Sequence, residues 1–171
     1  ATYFSSESDA LFIHELENEN LIKSGREWYQ PVSSLEGIQI NPGFIDLVTN
    51  ELIRFTVRVL ARAPVPTQFR LLEGTTVHKS IQVQDVNMYN YTGTYAQISD
   101  SSGSALPLSA SPSYEIKFFN NGEAGARGWL DYVKLHGRKR NSYNGNTTFL
   151  SDTRSSGPGR LTEYTIKSPY K

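Results

Sequence analysis

The chain contains three histidines, His14, His78 and His136, and no cysteine. The histidines lie far apart, and none stands in a His-x-x-x-His or similar ligand spacing, which argues against a zinc site. Without cysteine there is no disulfide, no thiolate ligand and no thiol nucleophile on this chain. Serine is abundant, yet there is no Gly-x-Ser-x-Gly elbow, and no serine is singled out for a triad. Glu15, Glu17 and Glu19 read as a solvated face rather than as an acid–base pair. His78 falls on a candidate strand and reads as a surface strand residue. No catalytic residue and no metal ligand is assigned.

Asp131 is the informative acid. On a regular strand Trp129, Asp131 and Val133 share one face, because side chains two apart point the same way. A carboxylate on a central strand is costly unless it is paired. A salt bridge or backbone hydrogen bonds are therefore expected, with Arg127, Arg54, Arg58 and Arg26 as candidate partners. The functional alternative is a calcium or ligand contact at the rim of the fold. Asp100-Ser101-Ser102-Gly103 has a faint likeness to a calcium loop but lacks the repeated acids of the EF-hand pattern. No cofactor is expected, a structural calcium being the alternative. Tyr89, Asn90, Tyr91 and Tyr95 cluster around a turn with Asn87. Aromatic platforms with amides hold sugars or peptides, and strand ends are also simply rich in Tyr. Asn90-Tyr91-Thr92 and Asn146-Thr147-Thr148 match the glycosylation acceptor pattern.

The elements that must position these residues are strands. Hydrophobic residues make up 37% and aromatics 12% of the chain, with Thr, Val, Ile and Tyr common, as in a β-rich domain. A length of 171 residues fits one domain spanning 1–171, with 1–31 as an arm or edge segment. In that arm Leu11, Phe12 and Ile13 start a strand, and Glu15–Lys23 reads alternatively as a short helix. Residues 35–62 read as two strands around the Asn41-Pro42-Gly43 turn. The second is the clearest in the chain, with Ile53, Phe55, Val57 and Val59 alternating against Arg54, Thr56 and Arg58. Pro64 and Pro66 end it. Gln68–Leu72, Thr76–Val86 and Thr94–Ile98 are further strand candidates, and Ser99–Pro112 reads as a loop. Ser113–Phe119 is a strand before the Asn120-Asn121-Gly122 turn. Ala126–Leu135 alternates little and reads as central. Thr147–Leu150 is a short strand. Arg160–Ile166 alternates, with Leu161, Tyr164 and Ile166 expected to be buried. Short strands punctuated by turns at this interval predict an all-β, antiparallel two-sheet sandwich of jelly-roll type.

Charge narrows the partners. Seventeen basic residues balance seventeen acidic ones, so nothing attracts a nucleic-acid backbone over the whole surface. The basic run Arg138-Lys139-Arg140, after His136, reads as a solvated strand end or turn, with a small anion or protein-docking patch as the functional alternative. No apolar run approaches the ~20 residues that span a bilayer. No signal-peptide pattern is read at Ala1, which fits a cytosolic protein, a mature exported protein or an excised fragment.

Two stretches hold the two Trp residues. The run Leu21-Ile22-Lys23-Ser24-Gly25-Arg26-Glu27-Trp28-Tyr29 is similar to a signature near the start of the type IX secretion sortases of Bacteroidetes, which are gingipain-like cysteine peptidases. Gly128-Trp129-Leu130-Asp131-Tyr132-Val133-Lys134-Leu135, followed by Arg138 and Arg140, resembles the Leu-Asp-Tyr strand of the same N-terminal region. The two stand in the same order, with an alternating strand, Arg54 to Arg62, between them, and the resemblance spans essentially the whole chain. The first run is its specific part; Leu-Asp-Tyr strands also occur in sugar-binding jelly rolls. Gln30-Pro31 departs from the Gly and acid that often follow Trp-Tyr in relatives.

The resemblance implies an N-terminal β domain excised from a longer chain. In the family, a caspase-like peptidase domain with a Cys–His dyad follows, removes C-terminal signal domains from secreted cargo, and links the cargo to anionic lipopolysaccharide. This chain, lacking Cys, would then be a non-catalytic accessory or interaction domain, exported to the cell surface or outer membrane. Its implied partners are the peptidase domain of the same full-length chain and other secretion-system proteins at the outer membrane. The signature residues are Gly25, Arg26, Glu27, Trp28, Tyr29, Trp129, Leu130, Asp131 and Tyr132. Trp28 and Trp129 are expected as core anchors, and Arg26 as the partner of Asp131 or Glu27. The alternative of a different class is a free-standing carbohydrate-binding β-sandwich.

Overall fold

A computed structural model describes residues 2–22, 27–90, 92–143, 145 and 147–168. Among these the alternating segments form β1 (Thr2–Ser5), β2 (Glu7–Glu15), β3 (Gln30–Val32), β4 (Ile38–Ile40), β5 (Ile53–Arg62), β6 (Thr67–Glu73), β7 (Thr76–Val83), β8 (Gln97–Ala105), β9 (Tyr114–Phe119), β10 (Arg127–Arg140) and β11 (Leu161–Tyr164). One sheet runs β2-β10-β5-β8 and the other β4-β9-β6-β7. Counted along the chain without β1, β3 and β11, these are strands 1-8-3-6 facing strands 2-7-4-5, the connectivity of a jelly roll. All pairs within the two sheets are antiparallel. β3 continues the line of β2 along the same side of β10. β1 and β11 pair in parallel as a separate ribbon.

The core lies between the sheets. β5 turns Ile53, Phe55, Val57 and Val59 inward and Arg54, Thr56 and Arg58 away, as the alternation requires. Opposite them stand Phe69, Leu71 and Ile116, with Leu130, Val133 and Leu135 of β10 completing the centre. β10 is central, as read, but runs to Arg140. Gly128 is required there, because a Cβ would stand 2.8 Å from the Phe118 ring.

Several expectations are corrected. Ser99–Pro112 is a loop only in its second half, since Gln97–Ala105 is β8, paired with β5 at every position. Its inward residues are small or polar, which hides the pattern, and Gly103 leaves room for the Phe55 ring, 2.7 Å from where a Cβ would sit. Leu16–Ile22 forms no helix: Glu15 ends β2, and Glu19 exchanges two 2.9 Å backbone hydrogen bonds with Tyr29. Thr147–Leu150 is irregular. Leu161 and Ile166 are exposed: Leu161 stands on β11, which rests its edge on β1 outside the two sheets, and Ile166 lies beyond the end of that strand.

Candidate functional site

The Trp129 cluster is built on the outer face of the β10 sheet. Trp129 is 2% exposed and packs with Tyr29 and Leu60 under Leu21 and Ala96. Its indole N–H donates to Glu19 Oε2 at 2.8 Å, and the Tyr29 hydroxyl donates to Glu27 Oε2 at 2.7 Å. Burial, then the Glu27 carboxylate, pushes the Tyr29 phenol far above its ordinary range. Trp28 departs from the expected anchor: it is 40% exposed, because the Glu19–Tyr29 bridge fixes Tyr29 inward and leaves its neighbour outside. Gly25 and Arg26 lie outside the described residues, and so does the expected Arg26 pairing.

Asp131 sits on a bulge. The β10–β5 register shifts between Leu130 and Tyr132, so Asp131 has no residue of β5 opposite it. The extra residue reverses the side-chain alternation: Trp129 faces out while Val133 enters the core, which corrects the expectation that the two share a face. Of the candidate arginines among the described residues, Arg58 is the partner, with Nε 3.4 Å from Asp131 Oδ2 and 3.6 Å from Asp100 Oδ1. Burial pushes the Asp131 carboxyl upward, Arg58 pulls it back, and Glu15, Glu27 and Asp100 add to the rise. Leu130 is core, and Tyr132 carries the Lys134 ammonium 4.4 Å from its ring centre.

The tyrosine cluster does not assemble a platform among the described residues. Tyr89 is 90% exposed. The Tyr95 ring is covered by the Arg62 guanidinium at 4.3 Å. The Asn90 side-chain oxygen accepts from the Thr92 N–H and hydroxyl within its own turn. Tyr91 lies outside the described residues. Asp100-Ser101-Ser102-Gly103 is strand, not a calcium loop, and no group of three or more His, Asp or Glu is placed to hold a metal among the described residues.

Two buried ionic sites escaped the sequence. Arg138, expected in a solvated strand end, is 7% exposed. Its Nη1 donates to Asp9 Oδ1 at 2.7 Å and Asp152 Oδ1 at 2.9 Å. Ser5 donates to the other Asp152 oxygen at 2.7 Å, so β1, β2, β10 and the turn at Thr153–Ser155 are tied at one point. Burial works to raise both carboxyls, but the Thr153 N–H and Arg138 at Asp9, and Ser5 and Arg138 at Asp152, outweigh it and hold both below the usual range. The signal was Asp9 standing opposite Arg138, legible only once the strand register is known. His78, expected at the surface, is buried against Glu73, Nε2 to Oε2 at 2.9 Å. Glu73 also accepts the Leu108 N–H at 3.0 Å and so fastens the loop after β8 over the β6–β7 turn.

Fold and sites together define a jelly-roll domain with structural ion pairs and an aromatic signature cluster. No family model matches the sequence, and neither does any curated protein. Among solved structures, the chain is similar to dimeric latent PorU from Porphyromonas gingivalis, with a TM-score of 0.72 and 16% identity over 96% of this chain. It spans only 16% of the length of that PorU chain, and at this identity the likeness is one of fold.

Proposed function

We propose that this chain is the non-catalytic accessory domain of a type IX secretion sortase, working at the bacterial cell surface. Its partners would be a cysteine-peptidase domain of the same protein and other secretion components at the outer membrane. The observation that carries the reading is the PorU likeness, which covers nearly the whole chain with a TM-score of 0.72. The sequence signatures agree with it: Tyr29, hydrogen-bonded to its near neighbour Glu27, packs against Trp129 from the far end of the chain. A chain without cysteine supplies no thiol nucleophile, so peptidase chemistry belongs to another part of the protein.

Reading the source gene past the codon for Lys171 tests this. A continuing frame that carries a His and a Cys in peptidase context is expected. A stop codon there overturns the reading and favours a small binding module. Glycan titration followed by Trp fluorescence is expected to give no response, since Arg62 and Thr92 already occupy Tyr95 and Asn90. A saturable response would move the assignment to carbohydrate binding.

A further inference from the structure

We infer that the free edge of β2 is a docking site for an extended, acidic polypeptide segment of a partner protein, which would pair with it as an added strand. The inference stands whether or not the sortase reading holds.

The register fixes which backbone groups are free. The Asp9 N–H points away from β10, to the Ser151 carbonyl at 2.6 Å, while Val48 N–H and Arg140 N–H place the 138 and 140 positions of β10 toward the β5 side. By antiparallel alternation, Ser8, Ala10, Phe12 and His14 bond to β10, and Leu11, Ile13 and Glu15 present their N–H and C=O groups outward. Ser151 covers the Asp9 position, and no backbone partner meets Leu11, Ile13 or Glu15 among the described residues. Natural edges are usually blunted by Lys, Pro or a bulge. This one instead carries Leu11 at 68% and Ile13 at 50% exposure, alternating on the outer face.

The edge continues into an open groove of about 440 Å³. Phe44, Ile45 and Phe149 wall it, and Lys139 and Arg140 rim it. Among the described residues neither cation has a carboxylate within 4.0 Å, whereas Arg138 beside them is paired with Asp9 and Asp152 through Nη1. An edge that offers main-chain hydrogen bonds, alternating apolar side chains and two unpaired cations complements an extended segment with apolar residues at every second position and acids at one end. A second copy of β2, with Glu15 following its own Leu11 and Ile13, is the competing occupant, and sedimentation separates it from the proposed partner segment.

The test uses the intact protein and a fluorescent synthetic peptide of alternating Val and Thr ending in two Glu, with a Lys-ended version as control. Fluorescence anisotropy should show saturable binding of the Glu-ended peptide and weaker binding of the control. Ile13→Pro removes an outward N–H without breaking a β2–β10 bond, and should weaken binding about tenfold with the melting temperature kept. K139E/R140E should reverse the preference toward the Lys-ended peptide. Should Ile13→Pro fail to fold, the Glu-ended peptide N-methylated at alternate residues serves instead and should lose binding to the same degree. Absence of binding, undiminished binding by both the proline variant and the N-methylated peptide, or a dimer in sedimentation that Ile13→Pro dissolves would overturn the proposal.

Discussion

At the residue scale, the two tryptophans separate a structural anchor from an exposed neighbour. Trp129→Ala empties a buried site and should cost about 3–5 kcal/mol in urea unfolding. Trp28→Ala should cost less than Trp129→Ala, because 40% of Trp28 is already exposed in the folded chain. Arg138 is a third case. Arg138→Met leaves Asp9 and Asp152 buried without their cation and should cost about 3–5 kcal/mol. Both acids are held below the ordinary carboxylate range in the folded chain. Their stabilisation is therefore complete above about pH 4 and is lost as the pH falls through their lowered folded values. In the Arg138→Met variant that acid-limb loss should shrink, which chemical unfolding across pH measures. Asp131 has the opposite sign, being raised by burial. Its ionised form costs stability above the ordinary carboxylate value, so Asp131→Asn should raise the melting temperature at neutral pH, with the gain vanishing in acid.

At the element scale, β10 serves both faces of its sheet, and one glycine makes that fit. Gly128→Ala would press a methyl into the Phe118 and Phe69 rings and should cost about 1–3 kcal/mol, with Phe118→Leu restoring part of the loss in the same unfolding assay. β5 was plain in the sequence, because one face of it is core and the other carries arginine, so alternation alone reports it. β8 was not, because its order comes from β5, and its own inward residues are Gln, Ser, Gly and Ala. The bulge at Asp131 was equally hidden: a strand's alternation predicts faces only while the register holds, and nothing local to Leu130-Asp131-Tyr132 announces the shift. The site was legible in part for the same reason. Tyr29 and Trp129 were readable as polar-handled aromatics near charge, while the Arg138–Asp9 pair exists only through strands distant in sequence and the His78–Glu73 pair only through the β6–β7 turn that folds the two together.

At the scale of the whole molecule, the jelly roll joins the first half of the chain to the last. β10 must find β2 and β5 across most of the sequence, so folding is expected to be slow, on the order of milliseconds to seconds, in stopped-flow Trp fluorescence. The same topology brings β1 and β11 side by side in parallel, Thr2 beside Leu161 and Ser5 beside Tyr164. Parallel strands drawn apart from opposite ends slide along each other. A pull on the two ends of this chain therefore strains the rungs of that ribbon together, in shear, rather than opening them one after another. Tension drawn through both termini is therefore expected to meet its resistance in this ribbon, whose Ser5 end is fastened by the Ser5–Asp152–Arg138 contacts.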